Sequence, residues 1–533
     1  MALSLLPASI LADPSLASKH IAVIGAGPGG LASAMLLAHA GAKVTLYEKG
    51  DKIGGRSSCL EIEGFRFDTG PTFFLYPDII REIFSRCGFA FDEMVKLTRL
   101  EHLYDLVFED GPSLSLTTDP QALEKEIAKI SVEDSRQVHR FLENNRGKFA
   151  RFISPLQRPF NSWLDMIKPD MIRALPVLSP LSSIDKDLSR YFRDPRTRLA
   201  FSFQSKYLGM SPYRCPSLFT ILSFMEHEYG IYHPQGGTGA VMSAMAKAAE
   251  KLGVTIRLNT GVETIDTRDG RAVGVRSSLG SQPVDAVVVN GDFARTIQTL
   301  LPDKARRKWS NEALARKKYS CSTFMMYLGL RGEMPEKAHH TIFLSRDYES
   351  NFTEIEEGKQ ISSRASLYVQ NAGVTDPSLA PEGCTALYVL MPVGHLREDG
   401  LEWDTRSTER ARRIVFDRLR DAGFGEIEER IMVEKTVTPR DWQENHDVHR
   451  GAVFNLAHSL GQMLHRRPHN RFEDVAGVYL AGGGTHPGSG LPVIFEGARI
   501  SADLLISDLA KTRSPMTETK MSDLTLMPEC SRG

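Results

Sequence analysis

The sequence predicts an α/β fold in which a parallel, dinucleotide-binding sheet is broken by insertions that build a second domain. Three observations carry this. The apolar run Ile21-Ala22-Val23-Ile24 leads straight into Gly25-Ala26-Gly27-Pro28-Gly29-Gly30, and the strand-like stretch 44–47 that follows ends on the acid Glu48. A second glycine pair with a cation, Gly54-Gly55-Arg56, comes shortly after that acid. Near the other end, the run 478–481 enters Gly482-Gly483-Gly484-Thr485-His486-Pro487-Gly488-Ser489-Gly490-Leu491-Pro492 and then a helical pattern over 493–509. Strand, glycine turn, helix, strand and acid in that order form a Rossmann-like fingerprint.

Each part of the fingerprint has a physical task. Gly25 permits the tight turn, Gly27 lets the backbone approach a pyrophosphate, and Gly30 lets the helix lie close to the sheet. The helix predicted over 28–40 presents unpaired N–H groups and a positive dipole end to that anion. Glu48 is placed to accept hydrogen bonds from ribose hydroxyls. A nicotinamide dehydrogenase has no need of Gly54, Gly55 and Arg56. A chain wrapping an extended FAD does, because it passes the diphosphate a second time and brings a guanidinium to its charge. With Phe67-Asp68-Thr69-Gly70-Pro71 beyond it, this series resembles the flavin amine-oxidase and carotenoid-desaturase superfamily.

The C-terminal stretch narrows the resemblance. Gly483, Gly484, Gly488 and Gly490 suggest backbone lying against a flat ligand, where a Cβ would collide. Leu491 and Pro492 open a helix, a position at which the missing N–H of proline costs nothing. The N-terminus of that helix suits negative charge on a reduced flavin ring. The stretch resembles the closing signature of the bacterial-type carotene desaturases, the phytoene desaturase family. Further segments agree: Tyr232-His233-Pro234-Gln235-Gly236-Gly237-Thr238-Gly239 ahead of a helix at 240–252, alternating strands at 254–259 and 261–265, a buried parallel strand at 285–292, and Arg467-Pro468-His469-Asn470-Arg471. In that family the position of Val262 meets the adenine through its backbone.

The resemblance spans roughly residues 17–510 and implies an FAD enzyme that desaturates an acyclic carotene such as phytoene or diapophytoene, with hydride passing to flavin N5. Oxygen or a quinone would then take the electrons. Related activities on the same scaffold are desaturation of later hydroxylated or methoxylated neurosporenes, carotene isomerisation and retinol saturation. An amine oxidase would line its flavin with an aromatic cage for a nitrogen cation, and no Trp or Tyr pair flanks the final signature. A carotenoid escort with a purely structural flavin is the non-catalytic alternative.

The expected organisation is interleaved, with the FAD domain at 17–75, 231–308 and 435–510, the second domain at 76–230 and 309–434, and flexible termini at 1–16 and 511–533. Strand-like runs at 321–330, 366–370 and 386–392, with an amphipathic helix at 407–422, predict a mixed or antiparallel sheet under the flavin. The region 145–230 crowds Phe149, Phe152, Ile153, Leu156, Phe160, Trp163, Leu164, Met166, Ile167, Met171, Ile172, Leu175 and Leu178 among prolines and the cations Arg151, Arg158, Lys168 and Arg173. It reads as a helical cap facing a membrane lipid surface, a peripheral or monotopic attachment and not a span.

Composition excludes other classes. The 533 residues carry 65 Lys+Arg against 66 Asp+Glu, a net charge of −1, so no global field favours nucleic acid. Six scattered cysteines without a CxxC pair predict no disulfide framework and no metal site, and favour a reducing compartment. The expected location is the cytoplasmic face of a membrane, without secretion. No catalytic residue is assigned. Glu226, His227, Glu228, Glu496 and His486 are the titratable candidates, and His446-Asp447-Val448-His449 reads as a solvated loop.

Overall fold

The computed structural model describes residues 16–179 and 181–511, so nearly all of the two termini expected to be flexible lies outside the described residues. A five-stranded parallel sheet runs in the order Thr255–Arg257, Lys43–Tyr47, His20–Ile24, Ala286–Val289, Val478–Leu480. Its central strands are short apolar runs because a parallel sheet is covered on both faces; Ala286–Val289 is wholly buried. Helices Pro28–His39, Thr238–Lys251 and Leu491–Lys511 share one apolar core with Val23, Leu46 and Val288. The meander Val262–Arg268, Arg271–Ser277, Gly280–Pro283 and helix Phe293–Leu300 contribute to the core on the other face.

The second sheet has seven strands, in the order Ile431–Val437, Ser322–Arg331, Cys384–Val393, Leu367–Asn371, His340–Leu344, His102–Phe108, Ser113–Thr117. All of its pairs are antiparallel except that of His340–Leu344 with His102–Phe108. The strand Ser322–Arg331 shows how the period of two sorts its side chains. Phe324, Met326, Leu328 and Leu330 pack with Ile414, Val415 and Leu419 of helix Thr405–Asp421. Met325 and Tyr327 face the other way, toward Phe65 and Phe67 of the hairpin Cys59–Ile62, Phe65–Asp68.

Two stretches fall across the expected boundaries. Helix Asp78–Arg86, assigned from sequence to the second domain, buries Ile79, Ile80, Ile83 and Phe84 in the nucleotide-domain core and joins Arg86 to Asp503 of the last helix at 2.8 Å. Strand Ile431–Val437 pairs along Ser322–Arg331, so the seven-stranded sheet holds the chain past residue 435. Hydrogen-bond pairing and apolar faces decide both, and composition shows neither. The cap is helical, with Val138–Leu156, Pro169–Leu178, Ile184–Leu188, Pro195–Ala200 and Thr220–Tyr229. No helix among the described residues is long and apolar enough to cross a membrane.

Candidate cofactor site and chamber

The first glycine turn is built by close approach. Gly25 has φ +96°, and a Cβ there would stand 2.8 Å from the Asn290 carbonyl oxygen. A Cβ on Gly30 would overlap the Gly25 carbonyl, so Gly30 sets the helix down on the turn itself. Gly27 is the N-cap of helix Pro28–His39, and no side chain caps it. Its first N–H groups therefore remain for an outside anion. Glu48 binds this turn directly: Oε2 accepts from Ala26 N and Oε1 from Gly50 N, each at 2.8 Å. A carboxylate oxygen has two acceptor sites, so ribose hydroxyls can still be bound.

The second glycine pair touches the first. Gly54, at φ +100°, donates its N–H to the Ala26 carbonyl at 2.8 Å, and a Cβ on Gly55 would meet only the Gly27 Cα, at 3.6 Å. Arg56 reaches across the chain and donates from Nη1 to the Val453 carbonyl at 2.5 Å. Burial lowers its guanidinium pKa, and the charge of Asp292 opposes the drop. Asp292 is itself pushed up to about 6 by burial, which Arg56 counters. Val262 opens the strand beside the acid, where Thr260 N donates to the Glu48 carbonyl at 2.8 Å.

The N- and C-terminal glycine stretches meet. A Cβ on Gly29 would come 3.1 Å from Gly482 N and 2.5 Å from Asn290 Oδ1. Asn290 is the hinge between them: its Nδ2 donates to the Gly25 carbonyl at 3.2 Å, while its Oδ1 lies 3.1 Å from the Cβ position of Gly482. Arg467, fully buried, donates to the carbonyls of Gly483 at 2.7 Å and Thr485 at 3.1 Å. Asn470 Nδ2 donates to the His486 carbonyl at 3.0 Å. The stretch 467–471 is thus a strap that holds the closing turn.

This changes the reading of the closing glycines. A side chain at Gly483 would strike Ser489, at Gly484 Phe293 and Asn455, and at Gly488 the His458 ring. Protein packing therefore demands these three glycines, and flat-ligand contact is not needed to explain them. Gly490, at φ +109°, has open space on its Cβ side, immediately before helix Leu491–Lys511 with Pro492 at its second position. Ser489 Oγ lies 2.7 Å from the Phe454 carbonyl, which brings the segment Val453-Phe454 alongside the turn.

The other titratable candidates are dispersed. His486 donates from Nε2 to the Arg158 carbonyl at 3.0 Å, and burial lowers it to about 3, so it is a neutral tie to the cap. Glu496 pairs with Arg499 one turn along its own helix. Glu228 lies outward with Arg146 at 2.7 Å, and His227 donates to the Thr117 carbonyl at 2.9 Å. Asp447 is an ion partner of Lys49 at 2.6 Å. Glu226 is the exception, fully buried, with Tyr104 OH and Gln204 Nε2 each 3.0 Å from Oε2.

A patch of half-buried aromatic and apolar side chains adjoins these elements, and sequence reading missed it. Phe73, Tyr207, Met210, Leu222, Met225 and Tyr368 keep accessible surface although packed on the second-domain core. Phe73 stacks on His340 at 4.3 Å and stands 5.3 Å from both Tyr207 and Tyr368. Phe73 and Tyr368 lie far in the chain from the other four, which fall between 207 and 225. Gly209 links this patch to the turn: a Cβ there would be 2.9 Å from both Phe454 and Ser320.

An uncapped helix N-terminus, two touching glycine pairs, a half-buried guanidinium and a riboside-ready acid fit a dinucleotide, and the adjoining aromatic and apolar patch fits a flavin that meets an apolar substrate. The model of the flavin-containing amine oxidoreductase family matches residues 28–506, and the chain belongs to that family. It is an FAD-dependent oxidoreductase. Within the family it falls among the bacterial-type carotenoid desaturases. It is 41% identical to a 4,4'-diapophytoene desaturase (4,4'-diapolycopene-forming) of Methylomonas sp, over 92% of this chain and 95% of that protein. It is 36% identical to a lycopene-forming phytoene desaturase of Pseudescherichia vulneris, over 92% of this chain and all of that protein. The fold also matches an oxidoreductase structure from Methanosarcina mazei, with TM-score 0.60, 18% identity, and 90% of this chain and 99% of that one covered.

Proposed function

We propose that this FAD-dependent carotene desaturase dehydrogenates an acyclic, unoxygenated carotene of the diapophytoene or phytoene kind, drawn from a lipid surface. The observation that carries the reading is the meeting of the two glycine stretches at Asn290 beside a half-buried patch of aromatic and apolar side chains. The whole-length similarity to the diapophytoene desaturase supports the substrate class. FAD, when bound, supplies the two-electron acceptor that takes hydride from an allylic carbon. The protein's share is placement. Gly25, Gly27, Gly30, Gly54, Gly55 and Arg56 hold the diphosphate, Glu48 the ribose and the Val262 backbone the adenine. Gly490, Leu491 and Pro492 form the bed of the ring system, on a turn that the packing of Gly483, Gly484 and Gly488 shapes. The aromatic and apolar patch aligns the polyene and excludes water. The electrons leave to oxygen or a quinone.

The lipid surface is supported by the cap. Trp163 (64% exposed), Leu164, Ile167, Ile172 and Leu175 stand out of one short segment, with the exposed cations Arg151, Lys168 and Arg173 around them. Phe149, Phe152, Phe160 and Met171 are instead buried in the cap. Arg158, expected from sequence to meet headgroups, turns inward to Asp170 at 2.7 Å and the Phe160 ring at 4.3 Å. Full burial of each such apolar side chain is worth about 1.5–3 kcal/mol. Replacing Ile167 and Ile172 together by Glu is therefore expected to cut sedimentation with anionic phospholipid vesicles at least ~10-fold. Unchanged vesicle binding would remove the patch from the lipid interface.

The function itself is tested by giving FAD-loaded protein diapophytoene or phytoene in liposomes and resolving the pigments by chromatography. Longer conjugated chromophores are expected. Flavin-bound protein that consumes neither precursor would overturn the proposal.

A further inference from the structure

We propose that Glu226 is the proton acceptor of the desaturation, with Tyr104, Gln204 and Tyr207 positioning its carboxyl group. The inference rests on the desaturase reading. Breaking two C–H bonds on adjacent carbons releases a hydride, which the flavin accepts, and a proton, which needs a base. The C–H bond on the second carbon breaks, its electron pair forms the new double bond, and the proton passes to the Glu226 carboxylate.

The geometry singles this group out. Glu226 is 0% exposed on helix Thr220–Tyr229, whose half-buried Leu222 and Met225 belong to the aromatic and apolar patch. Its Oε2 is held by Tyr104 and Gln204. The Tyr207 hydroxyl faces the same carboxyl as a third donor, and its ring stands 5.3 Å from Phe73. A fully buried carboxyl met by neutral donors alone is costly in a core unless it is protonated or put to use.

The surrounding charges are already spent. His227 is held neutral by burial, near 4, on the Thr117 carbonyl. Glu228 is paired with Arg146, and Lys148, near the start of the helix, with Asp187 at 2.5 Å. Among the described residues no cation acts to hold Glu226 ionised. Burial raises its carboxyl from 4.5 to about 7, opposed only by its hydrogen-bond donors. A base of that strength works near neutral pH.

Raised above its unfolded value, this group contributes stability that is complete below about 4.5 and is lost as pH rises through about 7. The test compares FAD-loaded wild type with Glu226→Gln, which keeps the shape and hydrogen-bonding reach of the side chain. Anaerobic bleaching of the flavin by diapophytoene in liposomes is followed against pH, and the thermal midpoint of the same proteins is followed against pH. Wild type is expected to show a rising limb of bleaching rate centred near 7 and a thermal midpoint that falls across that range. Glu226→Gln is expected to lose both pH dependences, to bleach at least ~100-fold more slowly, and to keep its flavin content. Glu226→Asp is expected to recover part of the rate.

Lys206 is the control, since burial lowers its ammonium to about 7 as well, above the Tyr348 ring at 4.5 Å. Lys206→Met is expected to retain the limb. A Glu226→Gln protein with wild-type rate, a limb that survives in it, or a limb that disappears with Lys206 would each overturn the assignment. Wild type whose bound flavin ignores the carotene at every pH would instead sink the desaturase reading beneath it.

Discussion

Gly27→Val is expected to yield a folded protein that purifies without yellow colour. Gly27 caps a helix whose first N–H groups are left for an anion, and the space over it is bounded by Asn290 Nδ2, 3.0 Å from the Cβ position. A branched side chain must either push Asn290 off the Gly25 carbonyl or stand in the path of the diphosphate. Both lose the charge-assisted contacts that a helix N-terminus and Arg56 supply. We expect at least ~100-fold weaker FAD binding, about 3 kcal/mol. Absorbance at the flavin band and titration of the FAD-free protein measure it. A yellow variant with affinity within tenfold of wild type would show that the diphosphate lies elsewhere.

Arg467→Met is expected to produce the second large loss, from a residue that contacts no reacting atom. Its guanidinium has no carboxylate partner among the described residues; it binds carbonyls of Gly483 and Thr485 and lies 3.4 Å from that of Leu456. Burial lowers its pKa to about 9, still charged at neutral pH. Methionine keeps much of the volume and leaves those carbonyls dry and unpaired. Hydrogen bonds to a charged group are worth about 1.5–3 kcal/mol each, so a loss of several kcal/mol in stability and a poorly retained flavin are expected together. Thermal melts with and without added FAD measure both. A variant with the wild-type melting point would mean that the closing turn holds itself without the strap.

The contrast between these two residues shows what a sequence displays. Gly27 stands in a local pattern, strand to turn to helix, whose physics is complete within a few residues. The motif 467–471 could be matched, yet its task appears only when the Arg467 side chain is seen among the carbonyls of a turn well along the chain. Similarly, Phe324, Met326, Leu328 and Leu330 announced an apolar strand face by alternation. The strand His340–Leu344 did not, because it opens on His340 and Thr341, polar residues buried by partners from elsewhere such as Phe73 and Tyr368.

The same division runs through the whole molecule. From residues alone came the parallel sheet, the anion-facing helix, the acid at Glu48 and the flavin class, since each depends on short-range geometry or glycine's missing side chain. Tertiary structure alone decided that Gly29 abuts Gly482 through Asn290, that Arg158 turns inward while Ile167 and Ile172 face out, and that the Glu226 carboxyl stands beside Tyr207. Those facts arise from packing that no local pattern displays, whether between nearby turns or between distant segments such as those of Gly29 and Gly482, and burial and charge neighbourhood do not exist until that packing is made.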